Sequence, residues 1–270
     1  DLLAQIAQVL GEKDDAAYYR KEAADFRKTF MKAFYDKKHH RFADGHLRDT
    51  RHASLHANIF PLAFGIVTDA KEKTLIAEYC KTRGMACSVY AAQFLLDALY
   101  EAGLADYALQ LMCDTSDRSW VNMLRTGSTI TTEAWDDIYK TNQDWNHAWG
   151  AAPANAIPRH LAGVMPLEPG FSSVLIYPQP GTLDSFAAKV PTLRGAVDVE
   201  FNRTPSVTKL SFTTPGATQA ELRIPAALLP SGQVTATLDG AQVTMPKNVN
   251  GILNFGRVPS GNHTLLLSKK

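Results

Sequence analysis

No apolar run in this sequence is long enough to cross a membrane as a helix; the longest, near Ile59 to Val67, is short and carries Pro61. Charge of one sign is not in excess either. Against 28 Lys and Arg stand 27 Asp and Glu, a formal net charge of +1, so the chain as a whole carries no electrostatic footprint for nucleic acid or an anionic membrane. Cysteine is scarce: Cys80, Cys87 and Cys113 cannot all pair and lack metal-ligand spacing, so they read as small buried hydrophobes. No metal and no cofactor is expected. Asp1 opens directly into helical sequence, without the basic start or cleavage site of a secretory leader. What remains, 45% hydrophobic and 20% charged, is enough apolar material for a globular protein of one or two domains.

Helical periodicity fills the first part. Leu2, Ile6, Val9 and Leu10 share a face, and Gly11 ends that helix. Asp14 or Asp15 is expected to cap a longer one carrying Tyr18, Tyr19, Phe26, Phe30 and Phe34. KKHHRFADGH reads as a solvated loop, because adjacent His39 and His40 point to different sides and no carboxylate repeats at ligand spacing with them or His46. Further helices are expected over 52–67, with His52 and His56 one turn apart, then after Asp69, from Ser88, and through Tyr107 to Met112. Seven or eight helices precede Pro166. From Phe171 on, SVLIYP, AVDVEF, TKLSFTT, AELRIP, QVTATL and HTLLL alternate between Gly, Pro, Asn and Asp turns, as in an antiparallel β-sandwich or jelly roll. The division expected is 1–165 helical and 166–270 β.

Tryptophan is concentrated. Of four in the chain, Trp135, Trp145 and Trp149 lie in TITTEAWDDIYKTNQDWNHAWG, and Trp120 is nine residues upstream. The same stretch holds Glu133, Asp136, Asp137, Asp144 and His147. Carboxylates beside flat rings suit a sugar cleft, where rings cover the apolar faces of a pyranose and charged groups take hydroxyls or move protons. The plainer alternative is a tryptophan-marked core with TTEAWDD capping a helix.

TITTEAWDD, DWNHAWG, and GVMPLEPGF leading to IYPQPG, in that order, resemble the closing half of bacterial α-L-rhamnosidases. The resemblance implies an α+β multidomain chain: part of an (α/α)6 toroid over 1–165, then an antiparallel β-sandwich over 166–270. It implies inverting hydrolysis of terminal α-L-rhamnosides with Glu133 as general base; from their place in the sequence, the neighbouring Thr131 and Thr132 are expected to hold its orientation. His147 would lie near the sugar, bonding a hydroxyl or orienting the base, or else be satisfied by backbone at a helix start. Trp120 and Trp135 are candidate ring platforms, or core. Where the family often has Trp before the Glu, this chain has Thr132, so the pocket wall differs there.

A six-hairpin toroid needs twelve helices, and the family's upstream acid motif does not occur here. The expected partners are therefore a rhamnose-containing glycan or glycoside and an N-terminal part of the same enzyme, with no nucleic acid and no membrane. A periplasmic or secreted location suits the resemblance. Alone, the chain is expected to be inert and either self-associated or found only as a piece of a larger ordered assembly, with Leu95 and Leu99 exposed on an uncovered helix face. The alternatives are a carbohydrate-binding or structural fragment, and an (α/α)6 glycosidase for another sugar.

Overall fold

A computed structural model describes residues 1–270. Asp1–Ala86 and Cys87–Lys270 form two compact units.

In the first unit, α1 (Leu2–Leu10) ends at Gly11, whose φ of 83° lets its N–H return to the Ala7 and Gln8 carbonyls. α2 (Lys13–Phe34) follows with Glu12 at the cap position and no side-chain cap. Asp14 and Asp15 stand instead in its first turn, where their charge favours the positive end of the helix dipole. The helices pack together, and the buried residues of α1 are Ala4 and Ala7, while Leu2, Leu3, Ile6, Val9 and Leu10 face outward.

KKHHRFADGH is not a plain loop. Strands β1 (Tyr35–Asp36) and β2 (Arg41–Phe42) make a hairpin, with Tyr35 opposite Phe42 and ring centroids 5.0 Å apart. Two residues per strand are too few for alternation to show. The histidines here take separate carboxylates: His39 with Asp36, His40 with Glu72, and His52 with Asp44. α3 (Leu55–Ala63) is shorter than expected because Ser54 caps it, its hydroxyl accepting the Ala57 N–H at 3.1 Å. His52 is therefore off that helix. α4 (Ala70–Lys81) is capped by Asp69 as the sequence indicates.

The second unit opens with α5 (Ala92–Glu101), α6 (Ala105–Met112), α7 (Trp120–Arg125) and α8 (Ala152–Ala156), the last running into a π turn over Ile157–Leu161. α5 begins four residues after Ser88, whose hydroxyl caps only a preceding turn at Ala91. Leu95 and Leu99 are fully buried, contrary to expectation, and α5 packs on both α6 and α8. Five apolar side chains of α1 are bare instead, Leu2, Leu3, Ile6, Val9 and Leu10. Cys80 and Cys87 are buried, and burial raises both thiols to about 12, whereas Cys113 is exposed.

Strands follow: β3 (Val164–Pro166), β4 (Ser173–Ile176), β5 (Ser185–Thr192), β6 (Gly195–Arg203), β7 (Val207–Thr214), β8 (Gln219–Pro225), β9 (Val234–Leu238), β10 (Ala241–Val243), β11 (Asn248–Val249), β12 (Ile252–Val258) and β13 (Gly261–Lys269). They form one sheet in the order β10-β9-β13-β7-β6-β5 and another in the order β11-β12-β8-β4-β3. All pairs are antiparallel except β4 with β8. Period-two alternation explains the packing: Val197, Val199 and Phe201 on β6, Leu210 and Phe212 on β7, and Leu265 and Leu267 on β13 meet Ile176, Leu222 and Ile224 of the other sheet in one core. β3 starts before the expected onset of strands near Phe171, being too short to show a period.

At the start of this sandwich, backbone approaches backbone. The Tyr177 N–H donates to the Gly163 carbonyl at 2.8 Å, and a Cβ on Gly163 would fall 2.0 Å from the Tyr177 carbonyl carbon. Gly170, at a similar positive φ, has open space around it. Gly170→Ala should therefore cost only the left-handed backbone strain, roughly 1–2 kcal/mol. Gly163→Ala should cost about 1–3 kcal/mol more through the clash. Urea midpoints measure both; equal midpoints would contradict this packing.

Candidate active site

The stretch 119–150 folds as a wide loop on a small aromatic base. Ser119 caps α7, its hydroxyl accepting the Asn122 N–H at 3.0 Å. Trp120 donates its indole N–H to the Gly150 carbonyl at 2.7 Å and Trp135 donates to the Cys87 carbonyl at 2.8 Å. The two rings meet edge to face, 5.1 Å apart at 83°. They are 9% and 3% exposed, respectively. Neither offers a face to a sugar, so the platform role expected for them is corrected: both serve as the loop's core.

Two strand-like contacts close the loop. The His147 N–H donates to the Thr131 carbonyl at 2.8 Å, and the Glu133 N–H donates to the Asp144 carbonyl at 2.9 Å. The Thr131 hydroxyl adds a bond to the His147 carbonyl, 2.8 Å. Gly150 lets the ends approach, since a Cβ there would sit 2.8 Å from the Thr131 Cβ and 2.9 Å from the Thr132 carbonyl oxygen. Inside the loop, Gln143 bridges the Ala134 N–H and the Asp137 carboxylate, and Asn122 donates to Asp136 at 2.7 Å. Asp136 and Asp137 are thus held by amides.

Glu133 stands on this closure with its side chain 16% exposed. One carboxylate oxygen pairs with the Lys140 ammonium, and the other accepts the Asp144 N–H at 3.1 Å. The Lys140 contact first, then that N–H, holds the Glu133 carboxyl below its ordinary range, with smaller electrostatic contributions from Lys140 and His147. Thr131 and Thr132 do not orient it, contrary to expectation: their hydroxyls are spent on the His147 and Ala134 carbonyls. Periodicity gives no sign of Lys140, because a residue seven positions on returns only when the loop folds back.

His147 lies 3.5 Å through Nδ1 from the Asp144 carboxylate, with its ring 3.9 Å from that of Trp149. Trp149 in turn meets Tyr90 at 5.3 Å. Trp149 and Tyr90 are 44% and 52% exposed, so the open aromatic surface beside His147 is theirs. The sequence offers one signal for Trp149, its place two residues beyond His147.

The family model described as the bacterial alpha-L-rhamnosidase 6 hairpin glycosidase domain matches residues 1–161, and that of the bacterial alpha-L-rhamnosidase C-terminal domain matches 163–238. The chain belongs to the bacterial alpha-L-rhamnosidase family. An alpha-L-rhamnosidase of Streptomyces avermitilis is 28% identical over 240 residues, covering 84% of this chain and 22% of the relative. The solved alpha-L-rhamnosidase of Dictyoglumus thermophilum superposes with a TM-score of 0.82 at 20% identity, covering 98% of this chain and 30% of that one. A Streptomyces avermitilis alpha-L-rhamnosidase solved in complex with L-rhamnose gives 0.74 at 26% identity, covering 97% and 25%. The chain thus spans less than a third of each relative's length. The helical part followed by a sandwich is the rhamnosidase arrangement.

The Lys140 contact has a measurable consequence. With the folded pKa depressed, the pair's stabilisation is present above the ordinary glutamate pKa and is lost as pH falls through the folded value. Lys140→Met should raise the Glu133 carboxyl pKa, followed by carbon-13 NMR of labelled glutamate. An unmoved titration would show that Lys140 does not hold the carboxylate.

Proposed function

We propose that this chain is the base-bearing part of an inverting α-L-rhamnosidase, with residues 1–165 belonging to the catalytic toroid and 166–270 to a C-terminal β-sandwich domain. The observation that carries the reading is Glu133: an ionised carboxylate fixed by a backbone N–H and an ammonium, within residues 1–161 that match the six-hairpin glycosidase domain. Inversion needs a base and an acid roughly 6.5–9.5 Å apart, with water between the base and the anomeric carbon. Glu133 takes the water's proton as the oxygen attacks. On the opposite face a carboxylic acid supplied by a part of such an enzyme outside these residues protonates the departing oxygen. Accepting a proton neutralises Glu133 and ends its pairing with Lys140, so a productive water must displace or share that ammonium.

His147 is assigned to a sugar hydroxyl, and Trp149 with Tyr90 to the apolar face of the substrate. The substrate class is a terminal α-L-rhamnoside on a glycan or glycoside. The solved relative holding L-rhamnose supports that choice of sugar. In the complete enzyme, Glu133→Gln should lower turnover of an aryl rhamnoside by about 10²–10⁴-fold, because the water loses its base. Proton NMR of the wild-type reaction should show β-rhamnose first. Turnover within a few-fold of wild type, or α-rhamnose as first product, would reject the assignment.

A further inference from the structure

Cations and carboxylates are nearly balanced over the whole chain, 28 against 27, yet one concavity of the first unit is strongly one-sided. A cavity of about 850 Å³ lies between the C-terminal half of α2 and the β1–β2 hairpin. Lys28, Lys32, Lys37, Lys38, Arg41 and Arg51 line it. The only carboxylate in its wall is Asp36, so six fixed cations face one anion, a formal excess of five positive charges.

That one anion is already engaged. Asp36 accepts the Lys38 backbone N–H at 3.0 Å and pairs with His39 at 2.9 Å and Arg51 at 3.1 Å. The His39 contact, then the Lys38 N–H and the charges of His39 and Arg51, lower its carboxyl to about 2 against the opposing effect of burial, so it stays ionised and occupied at any ordinary pH. Arg41 lies 5.3 Å over the Tyr79 ring. Lys32, Lys37 and Lys38 are exposed and form no ion pair. Tyr35, Met31 and Leu47 complete the wall, giving some apolar surface among the ammoniums.

A lysine near a helix C-terminus is ordinarily explained by the helix dipole, and that accounts for Lys32. It does not account for Lys37 and Lys38, which the hairpin turns onto the same hollow beyond the helix end. Like charges gathered without counter-ions repel one another, and a bound anion relieves that repulsion. Spacing over a wide hollow suits several separated anionic groups on a flexible polymer better than one small ion.

We propose that this hollow binds anionic groups, carboxylate or sulfate, carried on a glycan. The choice of a glycan rests on the family reading above; the charge argument does not. Such contacts would hold an acidic polysaccharide whose rhamnose ends are the substrate. Each exposed ion pair contributes little alone, so the effect is cumulative and falls with salt.

The test is affinity electrophoresis of the complete enzyme in gels containing polygalacturonate, a sulfated galactan, a neutral galactan or duplex DNA, repeated at rising salt. Retardation is expected with the carboxylated or the sulfated polymer, whichever supplies the anion, and not with the neutral one. Lys32→Glu with Lys37→Glu should weaken it at least about tenfold, two charges being reversed. Lys32→Met with Lys37→Met should weaken it less, and in a gentler variant that preserves folding. Both should leave turnover of a small neutral aryl rhamnoside unchanged. Retardation that both variants retain, equal retardation by neutral galactan, equal retardation by DNA, or no retardation at all would overturn the proposal. Binding without hydrolysis of any rhamnoside would instead fail the functional reading and leave this one standing.

Discussion

The candidate site depends on one backbone closure. Thr131 and Glu133 pair with His147 and Asp144 across the neck of a loop, and Gly150 admits the approach because any side chain there would strike Thr131 and Thr132. Without that neck, Asp144 would not present its N–H to the Glu133 carboxylate, and Lys140 would not fold back upon it. The buried indoles are the footing: each donates its N–H to a backbone carbonyl, at Gly150 and Cys87. A carboxylate on an irregular loop is thereby held by fixed partners, as a catalytic base requires.

The electrostatics of the two polar regions differ in kind. Around Glu133 one ammonium and one N–H answer one carboxylate, a closed arrangement that keeps the group ionised. Around Asp36 the anion is spent and the surplus cations remain. The first sets the charge state of the group proposed as the base; the second makes a field.

Legibility in the sequence followed the length over which a pattern persists. The sandwich strands β6, β7 and β13 are eight or nine residues long, so their alternation was plain. The α1 end at Gly11 and the Asp69 cap were readable because one residue type performs each task. Short elements were not: the β1–β2 hairpin has two residues per strand, and β3 has three. In the site, the order of motifs brought Glu133 and His147 forward, and the resemblance supplied the role of the base. Residue type misled for Trp120 and Trp135, since an indole suits a core as well as a sugar. Lys140 comes near Glu133, and Tyr90 near Trp149, only through loop closure and packing, which no local period encodes.

The same limit explains Leu95 and Leu99. Counting helices in the sequence suggests an uncovered face on α5, but α6 and α8 pack against that helix, whereas five apolar side chains of α1 are bare. Helix number is a poor guide to which face is covered when a short helix and a π turn can supply the cover.

The central claim, that Glu133 activates the attacking water, is tested most directly by replacing both. In the complete enzyme, Glu133→Ala leaves a gap and no base; azide, which needs no deprotonation, can enter from the water's side. With an aryl rhamnoside bearing a good leaving group, the account predicts that azide restores turnover and that the product is β-L-rhamnosyl azide, its configuration inverted. Failure of azide to restore turnover, or an α-configured azide, would contradict it.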